Sequence, residues 1–225
     1  MIKGVLFDFN GVLLLDTKWH EEAWNDLSNF VRETPITQEE SAKYIHGRTP
    51  KDTLEFLLGR PATPEESKEL LDRKETLYQE VCLRHKDEFK LSSGAIELFE
   101  LLEQNNVKKT IATSSPKVLI DFYYKNLNLE KWFPFVDTVY SDGSFPGKPA
   151  PDIFIMAAHN LDLEPQDCLV IEDAGSGVQA ANAANVSKII LLVTDDNRSA
   201  AQSLEVDKKV ASLSDITLDD LLVDS

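Results

Sequence analysis

The chain has 225 residues, 42% of them hydrophobic, enough material for one large α/β domain or for a core carrying a modest insertion. Its 39 acidic side chains against 23 basic ones give a formal net charge of −16. That argues against holding nucleic acid through the general field, so any bound phosphate must be held locally. The first residues lack a signal-peptide layout, and no apolar run approaches the roughly 20 residues that span a bilayer. Cys82 and Cys168 sit in helix-like and strand-like segments, as buried thiols of a reducing compartment do. The expected setting is the cytoplasm, with no membrane partner, and nothing points away from a monomer.

In chain order, GVLFD (4–8) is the first short apolar run and reads as a buried strand. The segment 17–88 that follows is charged, poor in strand signals and helical in period. Ala23, Trp24, Leu27, Phe30 and Val31 share one face, and Leu70, Leu71, Leu77, Tyr78, Val81 and Cys82 share another. Thr37 with Glu40, and Thr63 before Pro64, mark helix starts. Four further strands are expected in KTIAT (109–113), VDTVYS (136–141), CLVIED (168–173) and KIILLV (188–193), with helix-like crossovers between them. This alternation predicts a doubly wound, Rossmann-like parallel α/β sheet over 1–16 plus 89–225, with an inserted helical cap over 17–88.

In such sheets ligands gather at the carboxyl ends of the strands. Reading those ends gives Asp8, then Thr113 with Ser114, then Lys148, then Glu172 with Asp173. Each has an ordinary reading: a lone Asp ends turns, Lys148 in PGKPAP suits a solvated turn, and Ser115 before Pro116 suits an N-cap. Together, at one edge of one sheet, they point to an anion site.

FDFNGVLLLD, ATSSPK, GKPAPDIF and IEDAGSGVQAA, in that order, resemble the four motifs of the haloacid dehalogenase superfamily. The insertion after the first motif resembles its alpha-helical cap subclass. HEEAW (20–24), HGRTPKDTL (46–54), RKETLY (73–78) and KPAPDIFIMAAH (148–159) are most similar to the β-phosphoglucomutase branch.

The resemblance implies Mg²⁺-dependent phosphoryl transfer from a small phosphorylated metabolite, a sugar phosphate, with Asp8 as nucleophile. It implies Asp8, the backbone carbonyl of Asn10 and Asp173 as Mg²⁺ ligands. Lys148 and Thr113 would steady the phosphoryl oxygens, with Ser114 beside them and Glu172 in support. In the cap, which would close over the site, His20, Trp24, Gly47 and Lys74 fall where related enzymes position the sugar phosphate. Pro50 stands where mutases carry a phosphate-binding arginine, with Arg48 and Lys51 nearby.

Phosphatase is the leading expectation and sugar-phosphate mutase the second. The family's usual second Asp is here Asn10, whose amide has no proton to exchange near neutral pH, so turnover is expected to fall by roughly 10² to 10⁴. A phosphoester-binding protein without turnover is therefore a further alternative, and a phosphonatase or dehalogenase a minor one. Asn-Gly is also simply a good turn dipeptide. Asp16 lies one residue later than the hinge acid of related sequences.

Overall fold

The computed structural model describes residues 1–45 and 48–222. The chain forms two compact units, one of Met1–Leu15 with Lys90–Ser225 and one of Asp16–Phe89.

The first unit is built on a six-stranded sheet of β1 (Gly4–Phe7), β2 (Lys108–Pro116), β3 (Val139–Ser141), β4 (Cys168–Glu172), β5 (Lys188–Leu192) and β6 (Lys208–Val210). Their order is β3-β2-β1-β4-β5-β6, and every pairing is parallel. A parallel sheet covered on both faces demands nearly unbroken apolar strands, and β1 and β4 are buried at every residue. The winding reverses between β1 and β4, the position at which open α/β sheets leave a crevice. β2 outruns the expected 109–113, while β3 is cut to three residues because Phe135–Asp137 turns as a 3₁₀ helix. β6 was not expected: Lys-Lys-Val carries too little apolar character to read as a strand until β5 is there to pair with it.

The second unit holds α1 (Thr17–Arg32), α2 (Gln38–Tyr44), α3 (Pro50–Leu58) and α4 (Pro64–Arg84). Thr37 and Glu40 close a reciprocal capping box on α2, and the hydroxyls of Thr49 and Thr63 cap α3 and α4 just before a proline at the first turn. Trp24, Leu27, Leu54 and Leu57 form the centre of this unit, with Val31, Leu70, Leu71 and Leu77 packed around them. Phe30 departs from the expected face: it is 55% exposed and lies under the Arg73 guanidinium, 3.6 Å from its ring centroid.

Around the sheet run α5 (Ala95–Gln104), α6 (Lys117–Leu127), α7 (Asp152–Asn160), α8 (Gly175–Ala183) and the short α9 (Arg198–Ala201). Leu6, Ala112, Val170 and Leu191 of the sheet pack with Phe154 and Ala157 of α7 and Val178 and Ala181 of α8. Phe7, Phe99 and Phe133 meet edge to face, with centroids 4.9 to 5.9 Å apart. Each such burial contributes about 1.5–3 kcal/mol, which fixes the strand ends that carry the polar residues. No described helix is long and apolar enough to cross a membrane.

Candidate active site

β1 delivers Asp8 one residue past its end, where the Asp8 amide donates to the Ile171 carbonyl of β4 at 3.0 Å. Parallel register of β1 with β4 pairs Phe7 with Ile171, so Asp8 and Glu172 emerge side by side. Lys148 reaches both. Its Nζ donates to Asp8 Oδ1 at 2.5 Å, to Glu172 Oε1 at 2.6 Å and to the Ala112 carbonyl of β2 at 3.2 Å. The lysine is buried, with 6% of its side chain exposed, which replaces the solvated-turn reading.

Glu172 is hydrogen-bonded at both oxygens. While Oε1 takes Lys148, Oε2 accepts the backbone amides of Asp173 and Ala174 at 3.0 and 3.1 Å. Its carboxylate lies where a Cβ on Gly177 would sit, 1.8 Å from Oε1, so α8 can approach this closely only with glycine there. Asp173 is placed in the same way. Gly11, at φ +84°, leaves the space in which a Cβ would fall 2.1 Å from Asp173 Oδ2. Asn197 fixes the loop behind it by donating to the carbonyls of Asp173 and Leu192, both at 2.8 Å.

Burial pushes the Asp8 carboxyl up to about 7, against the pull of the Lys148 ammonium and with Glu172 adding to the rise. Burial works against the charge on Lys148, but the two carboxylates outweigh it and hold the ammonium above the ordinary lysine range. Asp8, Glu172 and Asp173 have carboxylate oxygens within 4.8 Å of one another. Three carboxylates and one ammonium in a largely buried space leave an excess of negative charge that is costly without a cation. With Glu172 engaged by Lys148 and two amides, Asp8 and Asp173 are the oxygen donors a hard divalent ion would find, so the residues fit Mg²⁺.

Thr113 is buried, and its Oγ1 accepts the Ser115 amide at 3.1 Å, which leaves the hydroxyl proton to donate. Ser114 is exposed at the same strand end. Ser115 is not a helix cap: α6 starts after Pro116 without a side-chain cap, and the Ser115 hydroxyl instead donates to Asn10 Oδ1 at 2.6 Å. Asn10 Nδ2 donates to the Tyr123 hydroxyl at 2.9 Å.

The remaining expected residues belong to the helical unit. Lys74 is buried, with Nζ 2.8 Å from His20 Nδ1 and 3.3 Å from Glu75. Burial holds its ammonium below the ordinary lysine range despite Glu75. His20 stacks on Tyr78 at 4.0 Å and places Nε2 3.4 Å from Asp16 Oδ2, which also accepts the Tyr78 hydroxyl. Trp24 forms part of the unit's core and presents its ring 5.4 Å from Lys74 Nζ. Arg48 and Lys51 do not join this cluster: Arg48 donates to the Lys43 carbonyl at 3.2 Å, and Lys51 is exposed and lies 3.9 Å from Glu55. Gly47 lies outside the described residues.

A family profile described as haloacid dehalogenase-like hydrolase matches residues 2–185. The chain belongs to that family. It is 30% identical to a β-phosphoglucomutase of Bacillus subtilis, over 82% of this chain and 81% of that one. It is 29% identical to a phosphorylated carbohydrates phosphatase of Thermotoga maritima, over 84% of each chain. Among solved structures, a family IA, variant 3 hydrolase from Entamoeba histolytica superposes with a TM-score of 0.91 at 32% identity, covering 98% of this chain and 97% of that one. The family and the fold expected from the motifs are thereby borne out.

Proposed function

We propose that the chain transfers the phosphoryl group of a small phosphorylated carbohydrate through an aspartyl phosphate on Asp8, acting as a phosphatase slowed by Asn10. The observation that carries this reading is the convergence of Asp8, Lys148, Glu172 and Asp173 at the carboxyl ends of β1 and β4. The relatives named above, which include a carbohydrate phosphatase and a sugar-phosphate mutase, support the substrate class.

In this mechanism Asp8 Oδ attacks phosphorus as the ester P–O bond breaks, and water later cleaves the acyl phosphate to return Asp8 and phosphate. Lys148 and the Thr113 hydroxyl offset charge on the phosphoryl oxygens, and Glu172 keeps Lys148 in place. Asp8, Asp173 and the backbone carbonyl of Asn10 would hold Mg²⁺, which supplies charge neutralisation when bound. The departing oxygen takes its proton from solvent, because the Asn10 amide has none to give, and the rate falls accordingly. His20, Trp24 and Lys74 are read as recognising the sugar. Phosphatase is preferred over mutase because Pro50 replaces the arginine and Arg48 is tied to a backbone carbonyl.

The test is phosphate release from a panel of hexose and pentose phosphates with and without Mg²⁺, for the native chain beside Asp8→Asn. Slow, Mg²⁺-dependent release that vanishes in the variant is expected. Release that survives Asp8→Asn removes the nucleophile. Tight binding with no release by the native chain selects the second reading, a phosphoester-binding protein, which Asn10 favours.

A further inference from the structure

We infer that Ser115 and Tyr123 are positioning residues for position 10, forming a two-point socket that holds the Asn10 side chain against the core. The kinetic half of this inference rests on the phosphotransfer reading; the structural half does not.

An amide has one accepting end and one donating end, and both are engaged. The Ser115 hydroxyl donates to Oδ1 at 2.6 Å, and Nδ2 donates to the Tyr123 hydroxyl at 2.9 Å. Both partners are rigidly set. Ser115 is buried at the end of β2, where its own amide is bonded to Thr113. Tyr123 is fully buried in α6, and its ring stacks at 4.4 Å on Phe9, the residue immediately before Asn10. Buried side chains in a close-packed interior do not re-aim without moving their neighbours, so the socket is stiff.

Either hydroxyl can donate as well as accept. A carboxylate introduced by Asn10→Asp therefore meets two donors in the same place and remains bound to them rather than swinging towards a leaving oxygen. Restoring an acid at position 10 is then insufficient by itself; the hydroxyls must be removed as well. Tyr123→Phe keeps the stack on Phe9, and Ser115→Ala keeps the backbone bond to Thr113, so the changes address the socket alone.

Two measurements test this on the full chain. In ¹⁵N spectra, the Asn10 side-chain NH₂ pair, assigned by its loss in Asn10→Asp, should exchange slowly with water, and Tyr123→Phe should shift it and speed exchange roughly tenfold or more. An Asn10 pair that already exchanges like those of exposed amides, and ignores Tyr123→Phe, overturns the socket. In assays with p-nitrophenyl phosphate and Mg²⁺, Asn10→Asp should raise kcat less than roughly tenfold, and the triple change with Ser115→Ala and Tyr123→Phe should raise it at least roughly tenfold further with KM little changed. A full gain from Asn10→Asp alone also overturns the inference. If the spectra behave as expected while every Asp variant stays as slow as the native chain, the socket stands and the phosphotransfer reading falls.

Discussion

The Lys148 ammonium lies 2.5 Å from the Asp8 carboxylate, although 140 positions separate them in the chain. It ties the loop after β3 to the end of β1, and Glu172 shares the ammonium at 2.6 Å. Removing the lysine leaves two buried carboxylates without their cation. Lys148→Met is expected to lower unfolding stability by about 3–5 kcal/mol in metal-free buffer, read from urea denaturation. Unchanged stability would show that these charges are solvated or protonated instead.

Mg²⁺ should stabilise the native chain by mass action, by about 2.7 kcal/mol at a hundred times its dissociation constant, visible as a rise in Tm. Asp173→Asn should abolish that rise. Gly11→Ala should do the same by a different route, because its Cβ would collide with the Asp173 carboxylate at a backbone angle of φ +84°. A full Mg²⁺ response in both variants would place the ion elsewhere.

Gly177 and Gly175 stand two residues apart on α8 but face different surroundings. A Cβ on Gly177 would lie 1.8 Å from Glu172 Oε1, whereas one on Gly175 would lie 3.3 Å from the terminal methyl of Leu204. Gly177→Ala should cost about 1–3 kcal/mol and weaken catalysis by displacing Glu172 from Lys148, and Gly175→Ala should be close to neutral. Equal effects of the two substitutions, in thermal unfolding and in phosphatase assays, would refute this account of α8.

In the helical unit, Glu40 accepts both arms of Arg32 at 3.0 Å and the Thr37 amide at 2.8 Å. These bonds, Arg32 first, lower its carboxyl from the ordinary 4.5 to about 2. A depressed acid stabilises the fold at pH values above its unfolded pKa, and that contribution is lost as pH falls through the folded one. Carboxyl ¹³C titration should therefore find Glu40 ionised down to about pH 2, and Arg32→Ala should return it towards 4.5. A midpoint near the ordinary value in the native chain would remove the pairing.

The sheet was legible because parallel strands must be apolar on both faces, so GVLF and CLVIE stand out, and the polar residues that end them become conspicuous. Asp8, Glu172 and Asp173 were found in that way. What sequence could not show was the environment of a charge: Lys148 suited a solvated turn, and only packing puts it among two carboxylates and the Phe154 ring. Ser115 carried a helix-cap signal that the backbone does not use, since β2 continues to Pro116. Tyr123 gave no signal at all, being one more aromatic on the apolar face of α6. Asn197, in a polar loop, and β6, with two lysines in three residues, owe their roles to partners outside their own short stretch.

The pairing of β1 with β4 joins segments more than 160 positions apart, and contacts of such separation close late when a chain organises itself. The carboxylate cluster proposed to hold a phosphoester and Mg²⁺ is thus born with the completed sheet, not before it. Occupants of that cluster should act as a lock on the finished molecule, prolonging its lifetime against unfolding while leaving the pace of its first collapse untouched.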